Sequence, residues 1–159
     1  MTAKPVPHGY HTATPYLIIG GAAEAIRFYE LAFGATELFR MPGPQGRIAH
    51  AEIKIGDSVI MLADEVLDMG YRSPHTLGGS PVSLLLYVDN VDSVYRRAVA
   101  AGALAQRPVR DQFYGDRSGT LEDPFGHIWT LATHIEDVAP EEMARRAQHP
   151  SWKRTTSET

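Results

Sequence analysis

The feature that most constrains this chain is that it repeats itself. Gly34-Ala35 is matched by Gly102-Ala103, and Gly56 followed by Val59-Ile60-Met61-Leu62-Ala63 is matched by Gly126 followed by Ile128-Trp129-Thr130-Leu131-Ala132, with one residue of slippage. The offset is roughly 68–70 residues throughout, which marks a duplicated structural unit. A unit of this size cannot bury its own sheet face, but two packed together can.

Periodicity gives the contents of the unit. Residues 14–19 are apolar and β-branched and read as a strand that Gly20-Gly21 breaks. Ala22, Ala25, Ile26, Tyr29 and Phe33 then recur at helical spacing, and Gly34 ends that helix. Strands follow at 35–41, 48–55 and 58–63, separated by the breakers of 42–46 and by Gly56-Asp57. The order is β-α-β-β-β. It returns with a strand at 82–88 and a helix whose face is Val91, Val94, Tyr95 and Ala98, capped by Asn90 or Asp89 and stopped by Gly102. A weaker strand at 103–109, two pieces flanking a Gly115-Asp116 bend, the Asp123-Pro124-Phe125-Gly126 turn and a last strand at 127–133 complete the second unit. The organisation is thus an N-terminal arm (1–13), a domain over 14–137 with modules at 14–63 and 82–137 joined by a connection at 64–81, and a C-terminal short helix and polar tail (138–159). In the last of these Pro140 opens the helix, Glu141 and Glu142 sit in its first turn and Arg145 and Arg146 in its last, matching the helix dipole.

Composition narrows the function classes. The 159 residues contain no cysteine, so disulfides, thiolate zinc sites, iron–sulfur clusters and cysteine nucleophiles are excluded. The formal charge is -4 without a basic stripe, which argues against a nucleic-acid partner. The arm is polar and lacks the apolar stretch of a signal peptide, and no apolar run is long enough to span a bilayer. A cytoplasmic protein with no membrane partner is expected. No phosphate-cradling glycine loop, nucleophile elbow or zinc-helix motif is present.

Several stretches resemble a known family. Phe28-Tyr29 followed by Phe33-Gly34-Ala35 resembles the helix-to-strand join of glyoxalase-type proteins, and Gly56-Asp57-Ser58 through Asp64 resembles their β-turn-β. The run from Asp111-Gln112-Phe113-Tyr114-Gly115-Asp116-Arg117-Ser118-Gly119 through Glu122-Asp123-Pro124-Phe125-Gly126-His127-Ile128-Trp129 to Ala132-Thr133-His134 is similar to the PhnB-like branch of the vicinal oxygen chelate superfamily (glyoxalase, bleomycin resistance protein, dioxygenase). The resemblance covers residues 14–137 and implies an α+β fold, two βαβββ modules forming curved sheets around a concave pocket.

Metal-using members of that family take four ligands from four strands, and the matching positions here are Thr14, Met61, Ser83 and Thr130. Neutral hydroxyls and a thioether make a poor site for a hard or borderline cation. The resemblance therefore implies a glyoxalase/bleomycin-resistance-like protein that binds a small organic ligand without a cofactor or a metal at the usual place. Its expected pocket is Thr14, Tyr16, His50, Met61, Ser83, Tyr87 and Thr130. No catalytic residue is assigned; if the chain is an enzyme, the family implies a lyase, isomerase or dioxygenase. The rival reading is a divalent-metal enzyme (Zn, Ni, Mn or Fe) with shifted ligands His50, Glu52 and His134. Because relatives often pair modules between two chains, a homodimer is expected.

Two further side-chain readings come from strand alternation and from a bend. His50, Glu52 and Lys54 share one face of their strand, either as a proton-transfer pair with its orienting carboxylate or as an ordinary exposed polar face. Arg117, beside Asp116, either binds an anion or makes a local ion pair.

Overall fold

The computed structural model describes residues 3–149. The polar tail predicted beyond them lies outside the described residues. The first module runs β1 (Tyr16–Ile19), α1 (Ala22–Phe33), β2 (Thr36–Pro42), β3 (Ile48–Ile55), β4 (Ser58–Asp64), and its sheet has the order β1-β4-β3-β2. The connection contains a short helix, α2 (Pro74–Leu77). The second module repeats the pattern: β5 (Ser83–Tyr87), α3 (Val91–Ala100), β6 (Leu104–Asp111), β7 (Asp116–Glu122), β8 (Ile128–His134), with the order β5-β8-β7-β6. α4 (Pro140–Gln148) follows. In each sheet the first and last strands pair in parallel and the other neighbours antiparallel. The helix α1 or α3 supplies the crossover that a parallel pair needs. This is the α+β fold of paired βαβββ modules.

Local chemistry explains the boundaries. Gly34 takes a left-handed backbone (φ 68°) past the last turn of α1, and its N–H reaches the Glu30 carbonyl. The Asn90 side chain accepts from the Ser93 N–H at 3.0 Å, capping α3. β1 begins two residues later than its apolar pattern, at Tyr16, because Pro15 has no N–H to donate to the ladder, although its carbonyl still accepts from the Met61 N–H at 2.9 Å. β7 is one unbroken strand from Asp116, where the sequence suggested two pieces about a bend; the turn lies just before it, at Gln112–Gly115. Gly115 has φ 98°, and a Cβ there would stand 2.1 Å from the Glu136 carbonyl oxygen, so glycine lets the segment after β8 close onto this turn.

One hydrophobic core spans both modules. Ala22, Ala25, Ile26, Tyr29 and Phe33 of α1 pack in a cluster with Ile53 and Leu62 of the first sheet and Leu121, Trp129 and Leu131 of the second. The Tyr29 ring lies 5.3 Å from that of Trp129, centroid to centroid. Core side chains occupy one face of each strand, so the alternate residues of β1, β3, β4, β5 and β8 face outward and are available for function. No helix among the described residues is long and apolar enough to cross a membrane.

Candidate functional site

A hollow of about 840 Å³ opens where the C-terminal ends of β1 and β4 meet the start of β3. Ile18, Ile48 and Ala63 give it an apolar floor. Arg47 and the β2–β3 turn form one wall, and Val66, Met69 and Tyr71 of the connection form the other. Asp64, at the end of β4, fixes the corner. One carboxylate oxygen accepts from the N–H groups of Gly21 and Ala22 (3.0 and 2.9 Å), and the other accepts from Ile48 N–H at 2.7 Å. A carboxylate at the positive N-terminal end of α1 is favourable and ties three elements to one point. The connection is held in turn by Glu65, which accepts from Ser73 N–H and the Thr76 hydroxyl at 2.9 and 2.7 Å. Those bonds depress its carboxyl below the ordinary range. The 64–81 segment is therefore an ordered wall of the hollow as well as a link.

Tyr16, Met61, Glu52 and Phe39 stand in one cross-strand row on the outward face of the first sheet. His50 lies on the same face, and a hydrogen-bonded chain crosses it. The Tyr16 hydroxyl is 2.8 Å from His50 Nδ1, His50 Nε2 is 3.2 Å from Glu52 Oε1, and the Tyr10 hydroxyl donates to Glu52 Oε2. The bond from Tyr10, with a smaller contribution from His50, holds the Glu52 carboxyl below its usual range. Burial, with Tyr71 opposite, pushes the Tyr16 hydroxyl up.

The remaining expected pocket residues lie elsewhere. Thr14 lines a groove with Val59, Ile60 and Leu84–Leu86, where the two modules adjoin. Ser83, Tyr87 and Thr130 stand on the outward face of the second sheet, with the Thr130 hydroxyl 3.1 Å from that of Thr120. There the Tyr87 hydroxyl donates to Asp116 at 3.0 Å, and His134 bonds Asp116 through Nδ1 (2.7 Å) and Asp137 through Nε2 (2.8 Å). Tyr16, His50 and Met61 thus form one group on the first sheet, and Ser83, Tyr87 and Thr130 another on the second. Arg117 makes local ion pairs with Asp92 and Asp111 at 2.8 and 2.9 Å. His127 is buried, with Nε2 3.3 Å from the Ile18 carbonyl oxygen, and burial lowers its pKa.

The donors at the four positions that the resemblance matches to the family's metal ligands (Thr14, Met61, Ser83 and Thr130) do not suit a divalent cation. Three offer neutral hydroxyls and Met61 a thioether. His50 and Glu52 are adjacent, whereas His134 is on the other sheet with both ring nitrogens engaged by carboxylates. Among the described residues no three His, Asp or Glu side chains come together as a metal-holding group. The sequence reading missed Tyr10, Arg47, Asp64 and Tyr71. Only Asp64 left a signal, as a carboxylate closing an apolar strand.

The family model described as Glyoxalase/Bleomycin resistance protein/Dioxygenase superfamily matches residues 10–131. A Mycobacterium bovis protein, Mb0911c, is 44% identical over 133 residues, covering 82% of this chain and 88% of that protein. A glyoxalase-related enzyme from Fulvimarina pelagi, solved by crystallography, is 26% identical with TM-score 0.61, over 77% of this chain and 87% of that one. The PhnB protein from Bacillus cereus, 21% identical with TM-score 0.60 over 77% and 99% of the two chains, shares the fold.

Proposed function

The chain belongs to the Glyoxalase/Bleomycin resistance protein/Dioxygenase superfamily, and from that premise we propose that it binds a small organic molecule in the hollow beside Tyr16, without a metal at the family's usual positions. The observation that carries this reading is the hollow itself. It is concave, with Ile18, Ile48 and Ala63 as apolar lining and a few polar residues (Tyr16, Gln45, Arg47, Asp64, Asp68, Tyr71) around them. That is the composition by which proteins hold small ligands: apolar surface for affinity, sparse polar groups for orientation. The donor chemistry of Thr14, Met61, Ser83 and Thr130 supports the metal-free part. The same reading includes a cytoplasmic location and a homodimer, the latter supported by exposed apolar side chains on the second sheet (Leu85, Tyr87) as on the first (Tyr16, Phe39).

The test is a thermal-shift panel of small aromatic and alicyclic compounds, with nitrobenzene among them, run beside elemental analysis of the purified protein. A compound that binds the folded form at a hundred times its Kd raises stability by about 2.7 kcal/mol. Ile18→Trp, which enlarges a floor residue on the same face of β1 as Tyr16, is expected to remove the shift. A panel without any stabilising compound sinks the ligand reading, and a stoichiometric Zn, Ni, Mn or Fe sinks the metal-free part.

A further inference from the structure

We propose that Tyr16, His50 and Glu52 form a proton relay through which the hollow takes up a ligand by a weakly acidic hydroxyl, as a phenol presents it, and holds it as the oxyanion. The inference rests on the ligand-binding reading above and adds the chemistry of the ligand. Its basis is the direction of the hydrogen bonds. An ionised carboxylate can only accept, so the 3.2 Å contact puts the proton of the imidazole on Nε2, facing Glu52. Nδ1 then carries the lone pair, and the hydroxyl 2.8 Å away, that of Tyr16, donates into it. Tyr16 is among the residues that line the hollow, and its hydroxyl proton is committed to His50. It therefore meets a ligand as an acceptor, to which a ligand hydroxyl can donate.

The transfer balances without any further reagent. The ligand O–H bond breaks as its proton passes to the Tyr16 oxygen. The former Tyr16 proton moves to His50 Nδ1, and the resulting imidazolium is stabilised by Glu52. A carboxylate orienting and stabilising an imidazolium in this way is an established device for proton transfer. Tyr10 reinforces it, because its donated bond keeps Glu52 ionised. Tyr16 itself resists ionisation through burial and the neighbouring Tyr71, so the proton passes through it and the negative charge stays on the ligand. The other charged groups around the relay are Arg47, Asp64 and Asp68 at the hollow and Lys54 on the face of His50. Arg47 favours the oxyanion, and Asp64 is engaged by three backbone N–H groups. Tyr16 and Tyr71 both line the hollow, whose apolar residues Ile18, Ile48 and Ala63 suit an aromatic ring. Tyr16 is the group that touches the ligand; His50 and Glu52 are positioning residues.

The experiment titrates the full chain with 4-nitrophenol and with nitrobenzene, which has the same ring without the hydroxyl, and follows the phenolate absorbance of the bound phenol against pH. The wild type is expected to bind 4-nitrophenol about tenfold more tightly than nitrobenzene and to shift its ionisation toward lower pH. Tyr16→Phe and His50→Gln are expected to abolish the preference for 4-nitrophenol over nitrobenzene and the ionisation shift, both read within each variant. Glu52→Gln is expected to keep binding but return the ionisation toward that of free 4-nitrophenol, which a purely structural role would not do. Equal affinity for the two probes, or an ionisation shift that survives in Tyr16→Phe, overturns the relay and leaves the ligand-binding reading standing. Failure of both probes also overturns the relay; the ligand-binding reading falls only if the wider panel fails as well.

Discussion

Asp123 shows how much one residue can carry. It is 2% exposed, and its two oxygens accept four bonds: from the Tyr29 hydroxyl (2.7 Å), Trp129 Nε1 (2.8 Å), and the N–H groups of Phe125 and His127 (2.9 and 3.0 Å). A buried carboxylate is tolerated only when satisfied like this. Through Tyr29 it joins the β7–β8 turn of the second module to α1 of the first. Asp123→Ala leaves two buried donors and two turn N–H groups without their acceptor, and a loss of about 3–5 kcal/mol is expected, at about 1–3 kcal/mol for a buried donor left unsatisfied. Urea unfolding measures it, with unchanged slope if the native fold is kept. A loss under about 1 kcal/mol, the worth of an ordinary hydrogen bond, would mean that the carboxylate is not the join between modules.

At the scale of elements, the segment after β8 is latched to the second module. Ile135 and Glu136 donate their N–H groups to the Gly115 carbonyl at 2.9 and 3.0 Å. His134 bridges Asp116 and Asp137, and Arg146 of α4 pairs with Glu136 at 2.7 Å. Both ring nitrogens of His134 face carboxylates, which only the doubly protonated ring satisfies. The bonds from Asp116 and then Asp137 raise its pKa. A raised folded-state pKa contributes stability that is complete below the unfolded value, about 6.5, and disappears as pH rises through the folded value. The melting-point difference between wild type and His134→Gln is therefore expected to be largest at acid pH and to shrink above neutrality. A difference that grows with pH contradicts the latch.

For the whole molecule, the outward faces pose the question. Tyr16 (48% exposed) and Phe39 (51%) on the first sheet, and Leu85 (50%) and Tyr87 (65%) on the second, leave large apolar side chains in water. Such faces, beside unpaired sheet edges, are surfaces that proteins normally cover. The homodimer proposed above covers them, and sedimentation at micromolar concentration is expected to give twice the 17.5 kDa chain mass. A monomer under those conditions removes that part of the proposal.

What the sequence alone determined is what local geometry writes into it. The duplicated pattern, the apolar face of α1, the Gly34 stop, the Asn90 cap and the outward placing of His50 and Glu52 all follow from periods of 3.6 and 2 and from the few residues that tolerate or end them. The tertiary structure alone decided which distant groups meet. Tyr10 reaches Glu52 across 42 positions, Asp123 reaches Tyr29 across 94, and Tyr71 arrives opposite Tyr16 through a connection with no periodicity to read. It also sorted Thr14, Tyr16, Met61, Ser83 and Thr130 between two sheets and the groove that adjoins them. The physical reason is that a side chain's face is set by its own backbone, whereas its partner is set by sheet register and by how two modules pack, and neither is encoded within a single element.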